Sequence, residues 1–131
     1  MKILSLDHMV LNVASVDAAV AFYHGVLGMR RQDFGDCRVA LHFGSQKINL
    51  HRAEGETATP RARAPVPGSG DICLLVESLT AAQAALGAAG VEIALGPVDR
   101  SGARGPIRSI YCYDPDGNLV ELSAYPNAGA P

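Results

Sequence analysis

The sequence predicts an α+β fold of two tandem βαβββ modules, and three observations carry that prediction. The halves repeat each other: a shift of 63 residues, taking His8 to Asp71, superposes Leu11 on Leu74, Val13 on Val76, Ser15 on Ser78 and Ala18 on Ala81. Each half opens with period-two alternation, passes into helical spacing, and ends in short alternating runs. Between them lies a stretch from Gly55 to Gly70 in which Pro60, Pro65, Pro67 and Gly68 forbid helix and discourage strand. Modules of about 60 residues would be marginal alone, so the 131 residues read as a single domain: module one at 4–54, a linker at 55–70 and module two at 71–125.

The elements follow in order. Residues 3–13 alternate as a strand, with His8, Val10 and Asn12 on one face and Met9, Leu11 and Val13 on the other. Ser15 or Asp17 caps a helix running to about Leu27, with Val16, Val20, Tyr23 and Leu27 as its buried stripe and Gly28 as its stop. Three short strands at 30–35, 38–43 and 46–52 are separated by the Gly35-Asp36 and Gly44-Ser45 turns. The second module repeats this with a strand at 71–77, a helix from Thr80 to Ala89 ended by Gly90, and strands near 91–95, 107–113 and 118–125. Residues 100–106 read as an inserted loop, Asp114-Pro115-Asp116-Gly117 as a turn, and the tail after Tyr125 as loose.

Composition narrows the function. A net charge of −2 gives no reason to expect nucleic acid or an anionic membrane as partner. No apolar run approaches the roughly 20 residues of a membrane span, and the early strand pattern leaves no room for a signal peptide. Cys37, Cys73 and Cys112 are odd in number and far apart, which predicts reduced thiols in a cytoplasmic compartment.

Four residues of metal-ligand type fall at matched places. His8 falls on Asp71 at the first strands, and His51 is matched with Glu121 at the last strands under a shift of 70. Alternation turns Lys47, Asn49 and His51 away from the apolar face of Ile48 and Leu50, and Leu119, Glu121 and Ser123 away from that of Val120 and Leu122. Asp71 opposes Ile72, and His8 and Asn12 oppose Met9 and Leu11, so all four point away from the helices. Singly, each is the kind of residue a strand carries in solvent; the conjunction points to a metal. Asp71 is the weakest member, because it follows Gly68-Ser69-Gly70 and could simply shape that turn. His24 and His42 read as structural. Tyr111 and Tyr113 fit either a pocket lining or the core, and Arg104 and Arg108 fit either an anion-recognising loop or a solvated one.

Several motifs resemble the vicinal oxygen chelate superfamily of glyoxalase I, extradiol dioxygenases and bleomycin-binding proteins, and most of all small glyoxalase domain-containing proteins. They are Asp7-His8-Met9-Val10-Leu11-Asn12-Val13, Ala21-Phe22-Tyr23 with Leu27-Gly28-Met29, Phe43 to His51, Gly105-Pro106-Ile107-Arg108-Ser109, and Asp114 to Glu121. The resemblance implies a cupped mixed sheet with helices on the outside and ligands on the first and last strands of each module. It implies a divalent ion (Fe2+, Mn2+, Ni2+, Co2+ or Zn2+) held by His8, His51 and Glu121, with Glu121 or Asp71 moving a proton. Glyoxalase I commonly has a second-module histidine where this chain has Asp71, so Asp71 reads as a neighbour of the ion more than as a ligand.

The activity implied is that of a lyase or isomerase of glyoxalase type, acting on a small substrate that chelates the ion through adjacent oxygens. Two other readings stand beside it. A two-His-one-carboxylate set suits an Fe2+ extradiol-type dioxygenase. A cup without turnover suits a drug- or metabolite-binding resistance protein. A symmetric homodimer, domain-swapped or not, is the expected assembly.

Overall fold

The structure is a computed structural model that describes residues 1–35, 38–55 and 60–126. Asp36, Cys37, part of the predicted linker (56–59) and the tail from 127 onward lie outside the described residues. The chain divides into two compact units, Met1–Ser69 and Gly70–Pro131. The eight strands form two four-stranded mixed sheets, one in each unit.

In the first unit, β1 (His8–Val13) runs parallel to β4 (Gln46–Arg52), and β3 (Arg38–Phe43) and β2 (Arg30–Phe34) complete the order β1-β4-β3-β2. Ser15 caps the helix as predicted, its hydroxyl accepting from the Ala18 N–H at 3.1 Å. The helix begins as α1 (Val16–Val20) and widens into a π-helical segment, Ala21–Val26. Ala19, Val20, Phe22 and Tyr23 are its buried residues, and they share the core with Leu11, Val13, Leu41, Ile48 and Leu50. His24 is structural, as expected: its Nδ1–H donates to the Met29 carbonyl at 2.7 Å and closes the helix end.

The strand predicted from residue 3 starts at His8 instead. His8 lies opposite Lys47, near the start of β4, so earlier residues have almost no ladder to join. The Gln46 Nε2–H donates to the Leu6 carbonyl at 2.8 Å and tethers that segment.

The second unit has the same plan. Strand β5 (Asp71–Leu75) runs parallel to β8 (Leu119–Ala124), followed by β7 (Gly105–Tyr113) and β6 (Leu95–Gly102). Ser78 caps α2 (Leu79–Ala88), whose Leu86 is fully buried. The expected strand at 91–95 begins only at Leu95, and residues 100–106 are not an inserted loop. They are the far end of a long β6–β7 hairpin, paired from Asp99–Arg108 to Gly102–Gly105. Edge strand β6 tolerates Pro97 because its outer side has no ladder to complete.

The Asp114–Asn118 turn is a buried polar hub. Asp114 Oδ1 accepts from the N–H groups of Asp116 and Asn118, each at 2.9 Å. The Asn118 amide donates to Asp114 Oδ2 at 2.7 Å, and its Oδ1 accepts from the Gly70 N–H at 2.7 Å. The motif therefore joins the start of β5 to the turn before β8, which is an architectural role.

Candidate functional site

Alternation acts as predicted. In the first unit Leu11, Val13, Ile48 and Leu50 are buried toward the helix, while His8, Asn12, Lys47, Asn49 and His51 turn to the other face and keep some exposure. In the second unit Val120 and Leu122 are buried, and Glu121 points the other way beside Asp71 and Cys73.

The register changes which residues correspond. His8 lies opposite Lys47 and Asp71 opposite Leu119, so β4 maps onto β8 with a shift of 72, from 47 to 119. Glu121 therefore corresponds to Asn49, and His51 to Ser123. The sequence match of His51 with Glu121 is corrected by two residues. Geometry gives this weight. Asn49 is two residue steps past the position opposite His8, about 8 Å between Cα atoms at ordinary strand spacings, whereas His51 is four steps past it, about 14 Å. Side chains standing roughly perpendicular to a sheet converge over the first distance far more readily than over the second.

His8 Nδ1–H donates to Asp7 Oδ2 at 2.7 Å, the kind of contact that orients an imidazole ring. Asn49 Oδ1 is buried and has no hydrogen-bond partner among the described residues. His51 instead lines a hollow of about 390 Å³ with Val10, Asn12 and Arg61, where the Arg61 guanidinium donates to Asn12 Oδ1 at 3.4 Å. Among the described residues, no three His, Cys, Asp or Glu side chains are gathered into a group that would hold a metal ion. Of the expected set, His8 and His51 lie in the first unit and Glu121 in the second.

In the second unit Asp71 and Glu121 do meet one hollow, of about 400 Å³, lined also by Arg100, Tyr111 and Tyr113. Tyr111 lies directly opposite Glu121 on the neighbouring strand. Its hydroxyl accepts from Arg100 Nε–H at 3.0 Å, and the guanidinium lies 5.5 Å from the ring centroid. Glu121 is fixed through one oxygen. The Ser109 hydroxyl donates to Oε2 at 2.6 Å, and the Ser123 hydroxyl contacts both Ser109 Oγ at 2.6 Å and Oε2 at 3.2 Å. Cys73 Sγ lies 3.2 Å from Ser123 Oγ. Ser109 gives its one proton to the carboxylate, and Ser123 has one proton to share among Glu121, Ser109 and Cys73. Both serines are fully buried, and Glu121 Oε1 accepts no hydrogen bond among the described residues. Burial pushes the Cys73 thiol above its ordinary pKa against the lowering effect of the Ser123 contact, and the charges of Glu121 and Asp71 push the same way as burial.

The model of the Glyoxalase/Bleomycin resistance protein/Dioxygenase superfamily matches residues 5–122. The chain belongs to this superfamily. It is 47% identical over 129 residues to the glyoxalase domain-containing protein RDO1 of Mycosarcoma maydis, an alignment covering 98% of this chain and 72% of that protein. It is 46% identical over 121 residues to virulence protein STM3117 of Salmonella typhimurium, covering 92% and 83%. Among solved structures, an integron cassette protein from the mobile metagenome of V. cholerae superposes with a TM-score of 0.92 at 48% identity, covering 95% of this chain and 98% of that one.

Within this glyoxalase-superfamily chain, sequence reading found Asp71, Glu121, Tyr111 and Tyr113 but assigned the nearby cations differently. Arg108 is paired with Asp99 at 2.9 Å, and Arg104 lies 4.3 Å from the Tyr125 ring centroid, so both brace the hairpin. The arginine in the hollow is Arg100. Ser109 and Ser123 were also missed. Only the register, which sets the two serines directly opposite each other, reveals them as donors to a partly buried acceptor.

Proposed function

We propose that the chain is a divalent-metal-dependent enzyme of vicinal oxygen chelate type, a glyoxalase-like lyase or isomerase for a small substrate with two adjacent oxygens. The observation that carries this reading is Glu121: one carboxylate oxygen accepts from the buried Ser109 hydroxyl with Ser123 Oγ beside it, and the other, which accepts no hydrogen bond among the described residues, meets a hollow shared with Asp71. A carboxylate held in this way is oriented for work at its free oxygen.

The residues present fit a hard or borderline divalent ion. Each unit offers its own first-strand and last-strand donors: in the first, His8 with His51 or with the Asn49 oxygen, which has no hydrogen-bond partner among the described residues, and in the second, Asp71 with Glu121. Within the first unit the register favours Asn49 over His51 as the donor nearer His8. A bound ion would supply Lewis-acid polarisation of the substrate oxygens. Glu121 or Asp71 takes a proton from one substrate carbon and returns it to the neighbouring atom, so the isomerisation consumes no net proton or electron. Arg100, held by Tyr111, offers a cation for developing oxyanion charge. The separation of His8 from His51 weakens the two-His-one-carboxylate basis of the dioxygenase reading.

Metal content, measured by inorganic mass spectrometry after loading with Ni2+, Co2+, Zn2+, Mn2+ or Fe2+, tests the reading first. We expect stoichiometric metal in the wild type and in His51→Ala, and loss in His8→Ala and Glu121→Gln. An ultraviolet assay of the methylglyoxal–glutathione adduct tests the reaction. Failure to retain any of these ions, or full turnover in Glu121→Gln, overturns the proposal.

A further inference from the structure

A line of basic side chains crosses the first sheet. The register places His8 opposite Lys47, Lys47 opposite His42, and His42 opposite Arg30. Residues directly opposite share a face, so these four side chains form one transverse row on the face turned away from the helix. Like charges side by side on adjacent strands oppose each other, so an anion seated among them would relieve the repulsion.

No acidic group answers it among the described residues. Asp7 is committed to His8 at the end of the row, and Asp33 to Arg31 on the opposite face at 3.0 Å. Neither Arg30, His42 nor Lys47 forms an ion pair there. The next row holds Gln32, Ala40, Asn49 and Val10, none of them acidic. The protein softens the repulsion from within. The Lys47 ammonium lies 5.0 Å from the Phe34 ring centroid, and the His42 Nε2–H donates to Gln32 Oε1 at 2.5 Å. Desolvation, with the charges of Arg30 and Lys47, holds the His42 pKa below its usual value.

Arg30 and Lys47 flank His42 on successive strands, spanning about 10 Å between backbones, and their long side chains can close on a group between them. Arginine offers a planar fork suited to two oxygens and lysine a point charge. We infer that Arg30, His42 and Lys47 form an anion-binding site for a carboxylate- or phosphate-bearing small molecule. The site lies wholly within the first unit, needs no metal and uses none of the donors named above, although His8 ends the same row.

Calorimetric titration of the chelator-treated full chain tests it, with inorganic phosphate in one arm and citrate in the other, at low ionic strength. The expected result is saturable binding in at least one arm, weakened about tenfold or more in Arg30→Gln and in Lys47→Gln. Lys47→Arg should retain it, and Arg31→Gln, on the opposite face, should leave it unchanged. The arm that binds more tightly identifies the chemical class. Absence of saturable binding in both arms, or equal weakening in Arg31→Gln, overturns the inference. Circular dichroism of each variant confirms that the fold compared is intact.

Discussion

Removing the Ser109 hydroxyl tests the proposed orientation of Glu121 most directly. The bond from Ser109 to Oε2 is short, at 2.6 Å, and the hydroxyl is fully buried. A hydrogen bond to a charged acceptor contributes about 1.5–3 kcal/mol. Two features place this bond at the low end. Glu121 is only partly buried, and the Ser123 hydroxyl, already 3.2 Å from Oε2, can rotate to replace the lost donor. A coupling of about 1–1.5 kcal/mol is therefore expected in the double-mutant cycle of Ser109→Ala with Glu121→Ala, measured by urea unfolding. With roughly 2.1 cal/mol/K of unfolding entropy per residue, Ser109→Ala alone should lower Tm by about 4–5 °C. If the reading is right, Ser109→Thr restores both stability and turnover, since it keeps the donor. A coupling below about 0.3 kcal/mol, within the additivity of independent sites, would refute the argument that Ser109 holds the carboxylate.

Other expectations follow from the same structure. Asn118→Ala removes two hydrogen bonds from the buried hub at Asp114 and should cost about 2–4 kcal/mol, seen in calorimetry as a Tm fall of about 7–15 °C. At Gly96, with φ of 114°, a Cβ would stand 2.5 Å from the Ser109 carbonyl oxygen and 2.9 Å from Ile110 Cα, so Gly96→Ala should unfold or strongly destabilise the second unit. Burial, with Asp114 nearby, pushes the Cys112 thiol above its ordinary value of 9.0. The fold favours its neutral form, so that contribution is complete below pH 9 and is lost as pH rises through the elevated value. Peptide mapping after iodoacetamide treatment should show Cys112 unmodified at pH 8, and ready alkylation there in the native protein would contradict this.

Much of the fold could be read because local chemistry and tertiary context agree. Ser15 and Ser78 cap helices in both units, and strands β2 to β4 fall within a residue of where alternation places them. What could not be read was pairing. Residues 3–7 have a strand's composition, but a strand needs a ladder, and β4 begins too late to give them one. Residues 100–106 have a loop's composition, yet as the end of an edge hairpin they need satisfy only one side.

The candidate site shows the same division more sharply. Which face Glu121, Asp71 and His8 occupy follows from alternation, a property of each strand alone. Which residue corresponds to Glu121 depends on where β1 meets β4 and β5 meets β8, a property of pairs. Aligning Asn49-Leu50-His51 with Leu119-Val120-Glu121 sets His51 against Glu121. The register sets Asn49 there, and the buried Asn49 oxygen has no hydrogen-bond partner among the described residues. A slip of two residues keeps every side chain on its predicted face, so no hydrophobic pattern could have exposed it. It moves the residue matched to Glu121 by about 7 Å along the strand, from His51, which lines the hollow beside Arg61, to Asn49.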